Sequence, residues 1–246
     1  MTLTASTAAA LVIGNELLSG KVEDKNLIEL SRLLRQLGIR FVRAVFVGDD
    51  IPTIRGEVEA LSQSVDVVFT SGGVGPTHDD VTMEAIAQAF GVDTAIEPRL
   101  ESLLRRTYGD RLTDAHLRMA LVPRGAELIS ASDAHWPATL VKNVFVLPGV
   151  PEIFRMKLES VRSHLRGFAP FISRAVLLTL EEVELKSELD AVVAGHPAVE
   201  IGSYPKWREP SYRTRVTFDA RDERAVTLAL DDFVARFPEA AIVRVE

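Results

Sequence analysis

The sequence contains no cysteine among its 246 residues, and this excludes disulfide bonds, thiolate zinc sites and cysteine nucleophiles. Basic residues are also in short supply, since 28 Lys and Arg against 35 Asp and Glu leave a formal net charge of −7. An acidic chain is a poor match for nucleic acid or an anionic membrane. We therefore expect no nucleic acid and no membrane among its partners.

Long apolar runs are missing as well. No stretch approaches the ~20 residues that span a bilayer, and residues 1–10 lack the basic segment of a secretion signal. We expect a cytoplasmic protein. Its length and its 47% hydrophobic residues suffice for one large domain, or for a medium domain followed by a small one.

The most informative stretch is residues 71–82, S-G-G-V-G-P-T-H-D-D-V-T. It lies between an apolar, β-branched segment (65–70) and a segment with helical apolar spacing (81–91), so it predicts a glycine-rich strand-to-helix loop. Glycine permits positive φ and close approach of a ligand. Free N–H groups beside a helix N-terminus attract phosphate. The loop positions that we assign to ligand binding are Gly72, Gly73, Gly75, Pro76, Thr77 and Thr82.

The same loop carries two carboxylates, Asp79 and Asp80. They would repel a phosphate unless a cation lay between, and hard divalent ions prefer carboxylate oxygens. The pattern therefore predicts metal-bridged phosphate chemistry or recognition of a phosphorylated heterocycle. The structural alternative is that Gly-Gly and Gly-Pro are ordinary turns and that the acids and Thr82 merely favour the first helical turn. So many polar groups in one turn favour the functional interpretation.

Other loops should lie at the same edge of the sheet. A buried strand at 8–13 is followed by Gly14, Asn15 and Glu16, and a strand at 40–47 by Asp49 and Asp50. Open α/β sheets bind ligands at the carboxyl ends of their strands. We therefore predict that five acids converge there: Glu16, Asp49, Asp50, Asp79 and Asp80. Taken singly, Asn15 and Glu16 could cap a turn, and Asp49 and Asp50 could cap a helix.

A strand at 143–147 runs into Pro148 and Gly149, which we assign to a further wall of this site. The preceding segment, 130–138, has no clear period and predicts a loop over the site or at an interface. In it, His135 and Trp136 could stack on a flat ligand, although such a pair more often anchors a loop.

Strand and helix signals alternate over the first part of the chain, which predicts a mostly parallel sheet. The expected helices there are 24–37, 51–61, 81–91, 97–108, 113–120 and 152–165. After residue 167 the order changes to β-α-β-β-α-β, which is typical of a small α+β domain. Its expected elements are 174–180, 185–194, 199–203, 213–219, 222–237 and 241–245. We predict two domains, residues 1–167 and 168–246.

Four motifs together resemble the molybdopterin-binding-like family: I-G-N-E-L-L-S-G, V-G-D-D, the glycine loop and L-P-G-V-P-E. That family includes the MoaB and MogA proteins of molybdenum-cofactor synthesis and the N-terminal domain of the competence/damage-inducible CinA proteins. The stretches E-A-I-A-Q-A-F-G, V-K-N-V-F-V-L-P-G-V-P-E and G-S-Y-P-K-W are similar to the N-terminal domain of eukaryotic-type FAD synthases. Residues 130–138 lack the Asn-containing, Gly-rich turn of the CinA pattern, which fits the FAD-synthase-like branch better.

The resemblance implies a three-layer α/β/α fold with a mostly parallel sheet, followed by a small C-terminal α+β domain. In pterin-binding members, the glycine loop and the acids at turns like those of Asp49 and Asp80 hold the pterin phosphate and assist adenylyl transfer. CinA-like and FAD-synthase-like members are associated with metal-dependent hydrolysis of pyrophosphate bonds in ADP-ribose or FAD. The resemblance also implies a homo-oligomer, a dimer or a trimer. The FAD-making module of the synthases is not in this sequence, so FAD synthesis is not implied.

Two functions are compatible with these residues. The leading hypothesis is a metal-dependent nucleotide pyrophosphatase acting on FAD, ADP-ribose or a similar dinucleotide. Its catalytic and metal-binding residues would be Asp49, Asp79 and Asp80, with Co, Mg, Mn or Ni as the divalent metal and potassium as a further ion; His78 is a weaker candidate for a general acid. The alternative is a module that binds a molybdopterin-like or nucleotide ligand without turnover. The ligand-binding residues outside the glycine loop would be Gly14, Asn15, Glu16, Pro148 and Gly149.

Overall fold

The computed structural model describes residues 2–130, 136–208 and 211–246, and the chain divides into two units, Met1–Phe168 and Ala169–Glu246. In the first unit the strands are β1 Leu3–Thr4, β2 Thr7–Ile13, β3 Arg40–Val47, β4 Val67–Ser71, β5 Thr94–Ile96, β6 Leu121–Pro123, β7 Glu127–Ile129, β8 Ala138–Val141, β9 Val144–Leu147 and β10 Leu165–Arg166. Its helices are α1 Asn15–Leu18, α2 Asn26–Leu37, α3 Ile51–Ser64, α4 Thr82–Ala89, α5 Pro98–Tyr108, α6 Asp114–Arg118 and α7 Pro151–His164.

Six of these strands form one sheet in the order β3-β2-β4-β9-β8-β7. The pairs β2–β3, β2–β4 and β4–β9 are parallel, whereas β8 pairs antiparallel with β9 and with β7. The prediction of a mostly parallel sheet is confirmed. Strands β7 and β8 extend it as an antiparallel edge that the sequence did not predict, because each has only three or four residues.

The central strands are covered on both faces, which explains their nearly continuous apolar runs. Along β2, Ala8 and Ala10 pack into one core, and Ala9 and Leu11 pack into the other. Helices α2 and α7 contribute to the first core, and α3 and α4 to the second. The sheet is therefore the middle layer of three, as a strand with side chains on alternating faces requires.

Local signals in the sequence explain where the helices begin and end. The carboxylate of Asp50 accepts a hydrogen bond from the Thr53 N–H and caps α3, with Pro52 in its first turn. Gly38 ends α2 in the left-handed conformation, with φ of 70°. None of the helices in the described ranges has the length and apolar character that crossing a membrane requires.

The second unit contains β11 Ile172–Leu178, α8 Glu182–Gly195, β12 Glu200–Pro205, β13 Thr214–Ala220, α9 Glu223–Val234 and β14 Ile242–Val245. These strands form a separate antiparallel sheet in the order β12-β13-β11-β14. The expected β-α-β-β-α-β succession is present, and helices α8 and α9 pack with the sheet around Val176, Phe218 and Phe233.

Candidate functional site

The carboxyl ends of four strands are in register, and this brings four loops to one edge of the sheet. Ile13 of β2 pairs with Val47 of β3, and Ser71 of β4 pairs with Leu147 of β9. Val12, one residue before the end of β2, pairs with Ser71 and connects the two pairs. The loops that follow these strands therefore start side by side, as the sequence predicted.

The glycine loop packs too closely on its neighbours to accept side chains at two positions. Gly72 has φ of 111°, and a Cβ atom there would lie 2.1 Å from the carbonyl oxygen of Ile13. Gly73 has φ of 65°, and its Cβ would lie 2.3 Å from the hydroxyl oxygen of Thr82. Both positions require glycine for the conformation of the loop itself.

The backbone N–H groups of the loop differ in what they can offer a ligand. Gly72 N–H donates to the Leu147 carbonyl at 3.1 Å, so it fixes the loop to β9 and is not available for a phosphate. In the part of the chain that the structure describes, the N–H groups of Gly73, Val74 and Gly75 form no hydrogen bond. These three donors remain for an anion.

Thr77 connects the two carboxylates of the loop. Its hydroxyl lies 2.5 Å from Oδ1 of Asp79 and 2.5 Å from Oδ2 of Asp80, and its N–H donates to the same Asp80 oxygen at 2.7 Å. The hydrogen bond from the Thr77 hydroxyl is the main reason that the pKa of Asp79 is below its ordinary value. Asp79 is therefore held in its anionic form. His78 is 96% exposed at its side chain, which does not favour it as a general acid.

The loops after β2 and β3 are tied to each other. Asn15 N–H donates to Oδ2 of Asp49 at 2.9 Å, which holds the Asp49 carboxylate at the sheet edge beside α1. Asp50 instead caps α3, and its hydrogen bonds from Thr53 lower its pKa. The expected convergence of five acids therefore holds for four, because Asp50 is taken up by the helix.

A residue that the sequence did not single out holds the loop after β9. Asn26, in the first turn of α2, is 4% exposed. Its Nδ2 donates to the Ser71 hydroxyl at 2.9 Å and to the Gly149 carbonyl at 2.8 Å. The end of β4 and the wall formed by Gly149 are thus fastened to α2 by one side chain.

A cavity of about 750 Å³ lies between these loops and the helices around them. The wall that the loops form, the loop wall, contains four carboxylates at Glu16, Asp49, Asp79 and Asp80. A second part of the lining, the helix wall, is mostly apolar and comes from α4, α5, α7 and the ends of other segments. Its main apolar side chains are Met83, Leu100, Leu104, Met119, Trp136 and Met156. A cavity that combines carboxylates and free N–H groups with apolar side chains suits a ligand that has a flat ring and an anionic group bridged to the carboxylates by a cation.

The predicted site residues divide according to whether they line this cavity. Those that line it are Glu16, Asp49, Gly72, Gly73, Gly75, Pro76, Asp79, Asp80, Pro148 and Gly149. Gly14, Asn15, Thr77 and Thr82 are not among the lining residues. Thr82 is fully buried, and its hydroxyl donates to the Gly72 carbonyl at 2.9 Å, so it supports the loop from behind.

Of the pair suggested for stacking, Trp136 lines the helix wall, and His135 lies outside the described residues. The helix wall also contains Lys157, which sequence reasoning missed. Lys157 is 7% exposed, and burial lowers its pKa to about 7. A signal for it exists, because Lys157 stands in the apolar series Phe154, Leu158 and Val161 of α7, where a helix normally places a hydrophobic residue.

The carboxylates of the loop wall fit a hard divalent ion only in combination with a ligand. Within residues 2–130, 136–208 and 211–246, no three histidine, aspartate or glutamate side chains are grouped so that they could hold a metal ion. Asp79 and Asp80 are nevertheless joined through one hydroxyl and line the same wall. Magnesium-type sites often use one or two carboxylates and take their remaining ligands from substrate phosphates and water. The residues present fit that kind of site.

Comparison with known families agrees with this division of the chain. Residues 9–166 match the model of the probable molybdopterin-binding domain, and residues 170–246 match that of the FAD synthase middle domain. A protein of Archaeoglobus fulgidus is 33% identical, and the alignment covers 90% of this chain and 93% of the relative.

A probable FAD synthase of Caenorhabditis elegans is 31% identical over 93% of this chain, which spans only 50% of that longer protein. Among solved structures, the CinA protein of Thermoplasma acidophilum, described as having unknown function, superposes with a TM-score of 0.59. It is 29% identical, and the superposition covers 65% of this chain and 97% of that one. The fold and the expected resemblance to CinA and FAD synthase are confirmed.

Proposed function

The chain belongs to the molybdopterin-binding domain family, and on this basis we propose that it is a metal-dependent nucleotide pyrophosphatase acting on FAD, ADP-ribose or a similar dinucleotide. The observation that carries the proposal is the cavity with four carboxylates on one wall and an apolar surface on the other. A dinucleotide has both matching parts, a charged pyrophosphate and flat rings. The proposal places the activity in the cytoplasm.

The carboxylates of Asp79 and Asp80 would hold the divalent ion together with the oxygens of the pyrophosphate, and Asp49 would complete the anionic wall. Bound there, such an ion lowers the pKa of a water ligand and offsets the charge that develops on the phosphates. The free N–H groups of Gly73, Val74 and Gly75 would bind the phosphate that is not attacked. In the reaction, water adds to one phosphorus, the bridging P–O bond breaks, and two monophosphates leave. Each monophosphate has a second pKa of about 6, so the two together release two protons when both ionise above it.

The apolar helix wall would bind a ring of the substrate and exclude water from the phosphates. Met83, Trp136 and Met156 line this wall, and thioether and aromatic side chains suit contact with a flat heterocycle. Several apolar side chains around the cavity are also exposed in the free protein, with Val150 at 51% and Met156 at 52%. A bound ring would cover such surface and gain hydrophobic stabilisation of about 25 cal/mol per Å².

The substitution Asp80→Asn tests the proposal directly. It keeps the size of the side chain and its contact with Thr77 but removes the charge. The expected result is a loss of hydrolysis of at least about 100-fold, a magnitude typical for removing a group that stabilises charge in the transition state. The matched control is Asp190→Asn, at a carboxylate that is 64% exposed in α8 of the second unit. Full activity of the Asp80→Asn variant would contradict the assignment.

One observation favours a second function. Because no three acidic or histidine side chains are pre-assembled for a metal in the described ranges, the cavity suits a molybdopterin-like or nucleotide ligand held without turnover. Such a module would bind its ligand in EDTA as tightly as in the presence of a divalent ion, and no monophosphate would appear.

A further inference from the structure

Lys157 is the one basic side chain among the described residues that line the cavity. It extends from α7 into the helix wall, where Trp136, Val146 and Met156 also line the cavity. Burying an ammonium group among apolar side chains costs stability unless a partner compensates. In this protein the compensation within the chain is small.

With the residues that the structure describes, this ammonium group forms one hydrogen bond, from Nζ to the Pro137 carbonyl at 2.5 Å. An ammonium has three N–H donors and no acceptor, so two donors remain. No ion pair joins Lys157 to a carboxylate among the described residues, and burial alone accounts for its lowered pKa. A buried cation with unused donors that faces a cavity is a candidate for contact with a ligand.

Few charged groups among the described residues come near Lys157 from the elements packed against α7. Strands β8 and β9 carry no titratable residue, and α2 buries only Asn26 and leucines against α7. Glu127 of β7 and Arg166 of β10 are exposed. The titratable groups that share the cavity are Glu16, Asp49, Asp79, Asp80 and Tyr108. The lowered pKa of Lys157 comes from burial and not from any of these groups.

We propose that Lys157 recognises the ring of the ligand by donating hydrogen bonds to an oxo group, and that it thereby selects an oxo-substituted nitrogen heterocycle, as in flavins and pterins, over adenine. This inference rests on the proposed function for the position of the phosphates. If the phosphates occupy the loop wall, the ring reaches the helix wall and Lys157. A donor-only side chain matches a carbonyl oxygen of the ring. Adenine carries a donor amino group in place of an oxo group, and its acceptors are ring nitrogens only.

Equilibrium binding of two monophosphates tests this proposal. FMN carries an oxo-substituted ring and AMP carries an amino-substituted one, and neither contains a pyrophosphate bond, so binding in Mg²⁺ buffer is measured without turnover. Lys157→Met keeps the length of the side chain and removes its donors. The expected result is an FMN affinity that falls about 10- to 100-fold, corresponding to a charge-assisted hydrogen bond, with AMP affinity nearly unchanged. Lys186→Met, at a lysine that is 74% exposed in α8, serves as the control and should change neither.

Proton uptake supplies a second readout on the wild-type protein. A ligand that accepts hydrogen bonds from the ammonium stabilises its charged form. At pH 8, FMN binding should therefore take up protons, which calorimetry detects as a heat that changes with the ionisation enthalpy of the buffer. AMP binding should show much less uptake, and the Lys157→Met variant should lose the uptake with FMN. This readout remains available if that variant does not fold.

Three results would overturn the inference: a wild-type protein with no preference for FMN, a Lys157→Met variant that loses FMN and AMP equally, or FMN binding without proton uptake. The inference about Lys157 and the proposed pyrophosphatase function can be tested independently. FAD hydrolysis by a protein that gives any of these three results removes the inference alone, and FMN selection by Lys157 without any hydrolysis removes the pyrophosphatase alone.

Discussion

The substitution Asn26→Ala should loosen the site without touching any ligand. The Nδ2 group of Asn26 donates to the Ser71 hydroxyl at 2.9 Å and to the Gly149 carbonyl at 2.8 Å, and the side chain is buried. Alanine removes the Nδ2 group and leaves the buried Ser71 hydroxyl without this donor. The Gly149 carbonyl belongs to an exposed residue, where water replaces the lost hydrogen bond. One buried acceptor that loses its partner costs about 1–3 kcal/mol, and we expect a loss of that size in the free energy of unfolding.

A double-mutant cycle identifies how much of this loss passes through Ser71. Ser71→Ala removes the hydroxyl together with its one bond to Asn26, and we expect it to cost about 1 kcal/mol. If the two side chains interact as the distance indicates, the double variant is less destabilised than the sum of the single variants by about 1 kcal/mol.

The assay must report on the first unit alone, because a chain with two units need not unfold in one step. The sequence has two tryptophans, of which Trp207 is 87% exposed in the second unit and Trp136 lies beside the cavity. In a Trp207→Phe background, the fluorescence of Trp136 follows urea unfolding of the first unit. An Asn26→Ala loss below about 0.5 kcal/mol, or strictly additive single effects, would refute the reasoning.

Two other substitutions test the fold at the two edges of the sheet, Gly72 at the carboxyl ends of the strands and Asp66 at their amino ends. Gly72→Ala should destabilise the first unit by about 2–5 kcal/mol, because its Cβ would lie 2.1 Å from the Ile13 carbonyl at positive φ. The control is Gly91→Ala, which is also at positive φ but has open space around it and so measures the backbone cost alone. Equal losses of stability for the two variants in urea titrations would contradict the steric explanation. Asp66 accepts hydrogen bonds from the Ser6 and Thr7 N–H groups, which lower its pKa. A lowered pKa gives stability that is present above the unfolded pKa of about 4 and is lost as the pH falls through the folded value. The loss of unfolding free energy in Asp66→Asn should therefore be largest near pH 7 and should shrink below about pH 4. A loss that is independent of pH would show that the charge is not involved.

The parallel part of the fold was predictable because its signals are local. Residues 8–13 are apolar on both faces of the strand, a pattern typical of a central strand that is covered by a layer on each side. In the structure, alternate residues of this strand pack into two separate cores. The strands β5, β6 and β7 were not predictable, since three residues carry no periodicity and each exists only through its pairing partner.

The site was predictable from the loop side and not from the helix side. Strand ends in register bring the acids together, and the sequence marks those ends with glycine and aspartate. The role of Thr82 could not be inferred, because its burial depends on how closely Gly73 approaches it. Asn26 resembled an ordinary first-turn residue, since its partners are 45 and 123 residues away. The sequence indicates that Lys157 is a lysine in the apolar face of a helix. It does not indicate that this face lines a cavity.

The measurement that tests the central proposal most directly is release of AMP from FAD and ADP-ribose, assayed with Mg, Mn, Co and Ni, with and without potassium. We expect AMP together with FMN or ribose 5-phosphate, in equal amounts, with at least one metal. We also expect the release to stop in EDTA and in the Asp80→Asn variant. Tight binding of a pterin or a nucleotide with no product under any of these conditions would contradict the pyrophosphatase and leave the binding module.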